Sequence, residues 1–137
     1  MTLREFVIRQ TRQRLDRLAS EAVRAAQSDD EDVVHDLRVA IRRFTQSLIL
    51  FPDLFPREAN KKITRRLKQM MDRTSEVRNR DVALDYLSSS GDPSVMQRLT
   101  RERDAFAEDV NRALGRWQAK DFAVHWRAAL RLDEERP

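Results

Sequence analysis

Positive charge recurs at helical spacing within residues 33–51, VVHDLRVAIRRFTQSLILF. On a helix of about 3.6 residues per turn, His35, Arg38 and Arg42 fall on one side, and Arg43 lies on its flank. The opposite side is apolar and can pack into a core. A guanidinium group offers a phosphate two parallel hydrogen bonds, which a lysine cannot. These residues therefore indicate a helix with a phosphate-binding side.

A second group of cations lies in the next predicted helix, which begins near Arg57. From their charge and helical position, we expect four of them to extend the binding surface: Lys62, Arg65, Arg66 and Lys68. Residues 35–80 contain 12 basic and 5 acidic residues, a net charge of +7, whereas residues 1–34 carry −1 and residues 81–137 carry −2. Such a local excess predicts a polyanionic partner.

The pattern favours a chain of phosphates over nucleic acid. DNA-reading helices present Asn, Gln, Ser and Arg at the start of a short recognition helix, and single-strand binders interleave aromatic with basic residues. Here Phe44 and Phe51 lie on the apolar side, so no stacking platform accompanies the arginines. A helical interaction module or a nucleic-acid-binding accessory protein is the alternative, and an enzyme acting on phosphoanhydrides is a more distant one.

The sequence predicts neither a metal site nor a catalytic site. His35 and His125 are far apart, and the acidic cluster at residues 28–32 has no second cluster beside it. We interpret that cluster as a helix cap. His35 is expected to hydrogen-bond either to a bound phosphate or within the protein. With no glycine-rich phosphate loop and no Ser-His-Asp arrangement, we expect a protein that is not an enzyme and needs no cofactor.

The chain has no cysteine, which excludes disulfides and is compatible with a reducing compartment. Its N-terminal residues carry charges throughout and lack the apolar run of a signal peptide or a membrane span. We therefore expect a soluble protein of the cytoplasm.

Apolar residues at three- and four-residue spacing predict an all-α protein with a single domain over residues 1–137. Leu3 and Val95 are expected to open the apolar sides of the first and fourth helices. The predicted helices cover residues 2–27, 31–51, 57 onward, 94–119 and, as a short fifth element, 122–132, before an acidic tail that is expected to fray. Short connections favour antiparallel neighbours, so we expect an antiparallel four-helix bundle with a short extra C-terminal helix.

The sequence allows two alternatives for the third helix at one place. Thr74 or Ser75 could cap a new helix, or the helix could continue through a bend to about Leu87. The segment SSSGDP, residues 88–93, ends it in either case, with Asp92 as the next N-cap and Pro93 at the first helical position.

Two motifs resemble those of the CHAD family, the conserved histidine α-helical domain. The first motif, residues 32–43, DVVHDLRVAIRR, is similar to a signature in which an acidic residue and a VH pair precede an RVxxRR run. The second motif, residues 78–82, RNRDV, is similar to an arginine followed by D-x-D-V. Asp81 and Val82 keep that pattern, and Asn79 replaces its first aspartate.

The resemblance implies a helical bundle that binds inorganic polyphosphate through basic residues of its inner helices, and some members are found with polyphosphate granules. It assigns binding to His35, Arg38, Arg42 and Arg43 of the first motif and to Arg78 of the second. Some relatives also carry a catalytic triphosphate-processing domain with an E-x-E-x-K motif, which this sequence lacks.

The family domain is usually about twice this length, with two helical bundles that face each other. Residues 94–137 do not repeat the histidine-arginine helix, so we expect a short form that resembles the N-terminal half, with good similarity over residues 2–90 only. Two copies would then pair as a homodimer to build the basic channel.

Overall fold

The computed structural model describes residues 1–89 and 91–134. Within them, the fold consists of α-helices and one 3-10 helix, without a β-strand, which confirms the all-α prediction. The elements are α1 (Leu3–Gln27), α2 (Glu31–Leu50), the 3-10 helix (Pro52–Leu54), α3 (Arg57–Leu87), α4 (Pro93–Ala119) and α5 (Phe122–Ala129). The predictions that concern Ser90 and residues 135–137 of the acidic tail lie outside the described residues.

Helices α2 and α3 run antiparallel, as their contacts show. Near one end, the Asn60 side chain donates a hydrogen bond of 3.0 Å to the carbonyl of Leu48. Near the other end, Arg78 pairs with Glu31 at 3.0 Å. Each of α1 to α4 packs against the next, and α1 also packs against α4, which closes a four-helix bundle.

The core forms where the apolar sides of these helices meet. Leu37, Ile41, Phe44 and Leu48 of α2 are fully buried, as their spacing predicts. Complete burial of each such side chain stabilises the fold by about 1.5–3 kcal/mol relative to exposure. The expectations for Leu3 and Val95 were wrong: these side chains are 67% and 44% exposed and do not belong to the core.

Helix α3 continues through Thr74 without starting a new helix. The Thr74 hydroxyl donates to the carbonyl of Met71 at 3.1 Å, a bond within the helix and not a cap. With 31 residues against 20 in α2, α3 is longer by about 16 Å at about 1.5 Å per residue. The end of α3 and the start of α4 therefore extend beyond the α1–α2 connection, and Val82 and Tyr86 are exposed there.

One predicted helix cap is confirmed by the structure, and another differs from the prediction. Asp92 caps α4 by accepting from the Ser94 amide at 2.8 Å, as predicted. Asp30 is the N-cap residue of α2, but its side chain forms no capping hydrogen bond. The neighbouring carboxylates of Asp29 and Glu31 pair instead with arginines of α4 and α3. The acidic cluster therefore joins helices as well as meeting the positive end of the α2 dipole.

Helix α5 closes the end of the bundle where α1 begins and α4 ends. The ring of Trp126 stacks on Phe44 with centroids 6.2 Å apart and meets Trp117 edge to face at 5.1 Å. After the helix, Arg127 holds Asp133 with two hydrogen bonds of 2.9 and 2.8 Å. Leu130 and Leu132 are buried and attach the C-terminal part of the described chain to the core.

Candidate functional site

A groove runs between α2 and α3 and has a volume of about 680 Å³. We call it the α2–α3 groove. Arg42 reaches it from α2, and Lys61, Arg65 and Lys68 reach it from α3. All four side chains are exposed, and none pairs with a carboxylate of the described residues. The remaining lining is neutral, so the groove offers positive charge without an internal counterion.

Arg38 lies beside this groove and is part-buried against α3. Its Nη1 donates to the carbonyl of Met71 at 2.9 Å and to the hydroxyls of Thr74 at 2.7 Å and Ser75 at 3.0 Å. Because these oxygens are neutral, the charge of Arg38 stays uncompensated. Burial lowers the pKa of Arg38, and the charges of Arg42 and Arg78 lower it further. Its Nε and Nη2 have no partner among the described residues and are free to donate to an anion.

A second groove lies between α3 and α4 and has a volume of about 490 Å³. We call it the α3–α4 groove. Its cations are Lys62, Arg65, Arg66, Arg73, Arg116 and Lys120. Only Arg73 pairs with a described carboxylate, that of Asp109 at 2.7 Å. Sequence reasoning missed Arg116 of α4 and Lys120, the C-cap residue of that helix, although their four-residue spacing favours one side.

Arg65 belongs to both grooves. The two grooves flank α3, and the Arg65 side chain lies on the ridge that separates them. The structure therefore brings together most of the cations that were predicted on α3, and it joins the two surfaces through one guanidinium group.

His35 and Arg43 face a different side of α2. They line a third groove, of about 590 Å³, together with Arg14, Arg17 and Asp36. Arg14 spans this groove by donating to the carbonyl of Arg43 at 2.9 Å and to the Ser47 hydroxyl at 3.0 Å. The phosphate-binding side predicted for α2 is thus split: Arg42 faces α3, whereas His35 and Arg43 face α1.

A model of the CHAD domain family matches residues 9–137. The chain belongs to the CHAD domain family. The match includes both motifs and continues to the last residue, so the expectation that the similarity ends near residue 90 was too narrow. No curated protein and no solved structure gives a match.

In this CHAD domain, the second motif joins helices. Arg78, which the resemblance assigns to binding, donates to Glu31 at 3.0 Å and so has a carboxylate partner of its own. Asp81 accepts from Arg103 of α4 at 3.0 Å, and both side chains are largely buried. Burial alone would lower the pKa of Arg103, but hydrogen bonds and charges from Asp81 and Asp29 outweigh it and raise that pKa.

The described part of the CHAD domain contains no group of three or more His, Cys, Asp and Glu side chains that could hold a metal ion. Among its described helices, none combines the length and the apolar character that crossing a membrane requires.

Proposed function

We propose that this CHAD domain binds inorganic polyphosphate in the α2–α3 and α3–α4 grooves without catalysing a reaction. One observation carries the proposal. Two adjacent grooves are lined by cations that mostly lack carboxylate partners among the described residues, and they share Arg65. Arg38 and Arg42 of the first motif supply the α2 side, and Lys62, Arg66 and Lys68 extend the surface along α3.

Electrostatics favours a polyanion on this surface. Closely spaced like charges repel one another, and a bound chain of phosphates replaces that repulsion with attraction. Binding also releases counterions from the polyphosphate, so affinity is expected to fall steeply as salt rises. His35 and Arg43 are expected to contribute less than Arg42, because they face the groove on the α1 side.

Polyphosphate fits the α2–α3 groove better than nucleic acid does. Its lining consists of cations, aliphatic side chains and small polar groups, without an aromatic ring among the described residues. Single-stranded nucleic acids usually gain about 1–3 kcal/mol for each base that stacks on an aromatic side chain. A chain of bare phosphates needs only the cations.

We also propose that two copies pair, so that the cationic grooves of one copy face those of its partner. A two-fold arrangement is common in small proteins, and it would enclose the polyphosphate between two basic surfaces. The expected location is the cytoplasm, in association with polyphosphate granules.

The deciding experiment is a titration against long-chain polyphosphate, duplex DNA and single-stranded RNA, matched in phosphate concentration, at two salt concentrations. Polyphosphate should bind most tightly at both. Equal affinity for nucleic acid would overturn the preference and favour a nucleic-acid-binding accessory protein. Failure to bind polyphosphate, with capture of a defined protein, would favour an interaction module.

A matched pair of variants tests whether polyphosphate binds in the α2–α3 groove. Arg42 lines the α2–α3 groove, whereas Arg101 is an exposed arginine of α4 that lines neither groove. Arg42→Ala should weaken polyphosphate binding by about fivefold to tenfold, and Arg101→Ala should leave it nearly unchanged. Inorganic phosphate should not be released when a divalent metal is added; its release would instead indicate an enzyme.

A further inference from the structure

An apolar groove of about 600 Å³ continues the α3–α4 groove toward α5. We call it the apolar end. Its apolar lining comes from three helices: Ala59, Ile63, Trp117, Ala119, Phe122, Trp126 and Ala129. Lys62, Arg66, Trp117 and Lys120 line this groove and the α3–α4 groove alike. The two therefore form one cleft, which is apolar at one end and cationic at the other.

Three aromatic side chains line the apolar end and form one packed cluster. Trp117, Phe122 and Trp126 pack on one another with centroids about 5 Å apart, and each is at most 9% exposed. Aromatic rings pack favourably against another flat ring, either offset or edge to face. The apolar end therefore suits a planar aromatic group.

Two polar side chains at the rim add hydrogen-bonding capacity. Asp121 is the N-cap residue of α5, His125 lies one turn after it, and both line the apolar end. Both are exposed, and neither has a side-chain partner among the described residues. A carboxylate accepts from an amino group, and an imidazole can donate or accept. An aromatic heterocycle can use both groups, whereas a fatty acyl chain can use neither.

We propose that this cleft binds a nucleoside triphosphate, with the base in the apolar end and the phosphates among Lys62, Arg66 and Lys120. The volume is in the usual range for small-molecule sites, about 300–1,000 Å³, which are mostly apolar with a few polar groups. The proposal shares cations with the proposed polyphosphate site, but it rests on the apolar end, which polyphosphate does not need.

The first test compares adenosine triphosphate with inorganic triphosphate by calorimetry at equal ionic strength. The nucleotide should bind about tenfold more tightly or better. Its binding should also change tryptophan fluorescence, because the only two tryptophans of the chain line the apolar end. If the two ligands bind equally, the inference is overturned, and the titration with long-chain polyphosphate decides the polyphosphate proposal separately. If the nucleotide binds and polyphosphate does not, the inference stands and the polyphosphate proposal falls.

The second test fills the apolar end without changing a charge. Ala129 lines it, whereas its neighbour Ala128 is also exposed but does not. Ala129→Leu should weaken nucleotide binding about tenfold and leave triphosphate binding unchanged, and Ala128→Leu should affect neither. Unchanged nucleotide affinity in Ala129→Leu would contradict the placement of the base. Should Ala129→Leu not fold, His125→Ala replaces it, with an expected loss of about threefold or more for the nucleotide alone.

Discussion

Arg38 donates a hydrogen bond of 2.7 Å to the Thr74 hydroxyl, and this bond fastens α2 to the middle of α3. The same Nη1 reaches Met71 and Ser75, so one terminal nitrogen is used for the fold. The other two nitrogens of the guanidinium group point to no described partner. Arg38 therefore has a structural and a proposed binding role at once, whereas Arg42 is exposed and has only the second.

Substitution of these two arginines should change the free energy of unfolding by different amounts. Arg38→Ala removes three hydrogen bonds from a charged donor and is expected to lower the free energy of unfolding by about 1–2 kcal/mol. Arg42→Ala removes no hydrogen bond to a described residue and should change it by less than about 0.5 kcal/mol. Urea denaturation followed by circular dichroism measures both values. Equal losses in the two variants would mean that the bonds to α3 add nothing.

The α3–α4 groove predicts that α4 takes part in binding. Arg116 lines that groove, whereas Arg112, one turn earlier on the same helix, is exposed and does not. Arg116→Ala should weaken polyphosphate binding and reduce the slope of log affinity against log salt by about one. Arg112→Ala should leave the slope as it is. Identical slopes in both variants would remove α4 from the proposed surface.

The pair formed by Asp81 and Arg103 should support the fold strongly. Its side chains are only 9% and 13% exposed, so loss of the carboxylate leaves a largely buried cation. Asp81→Asn is expected to cost about 2–3 kcal/mol, less than a fully isolated charge would, because Asp29 still pairs with Arg103. Asp104, 3.9 Å from Arg103 and 65% exposed, provides the control. Thermal unfolding of Asp104→Asn should match that of the wild type.

Acid should remove the stabilisation that the Arg127–Asp133 pair gives to the C-terminal part of the fold. Hydrogen bonds from Arg127 lower the pKa of Asp133, the charges of Arg127 and Arg12 add to this, and slight burial opposes it. A lowered folded pKa means that the contribution is complete above the unfolded value of about 3.9 and is lost as pH falls through the folded value. The difference in Tm between the wild type and Asp133→Asn should therefore be present at pH 7 and vanish in strong acid. Asp72→Asn, at an exposed position of α3, should show no such difference.

Pairing of two copies predicts a doubled mass in solution. Light scattering should give the mass of two 16.2 kDa chains with long polyphosphate present. Inorganic triphosphate, which is too short to bridge two copies, shows whether pairing needs bridging by the ligand. A single-chain mass both with and without long polyphosphate would exclude the homodimer.

Periodicity and turn residues predict much of this fold. The fully buried side of α2 and the Asp92 cap both follow from local spacing and residue type. The continuous course of α3 through Thr74 does not, because the same hydroxyl can cap a helix or bond back within one. The Thr74 hydroxyl accepts a hydrogen bond from Arg38, which is distant in the sequence and comes close only when α2 packs against α3.

The candidate site was harder to predict for the same reason. The cations of α3 were visible as a local charge excess, but Arg116 lies in a region of net negative charge. Arg116 joins the cations of α3 only when α4 packs beside α3. Arg78 shows the converse: the motif suggests a free cation, yet Glu31, 47 positions away, pairs with it. The sequence lists charges, whereas folding decides which of them are neutralised.

Under the proposed function, the position of Arg65 between two grooves predicts that affinity depends on the length of the phosphate chain. A short phosphate chain would occupy only one groove, whereas a chain that crosses Arg65 would contact cations on both flanks of α3. The second attachment is then intramolecular and raises the overall affinity without any new kind of contact. Affinity should therefore rise with the number of phosphates at least until a chain spans both flanks of α3.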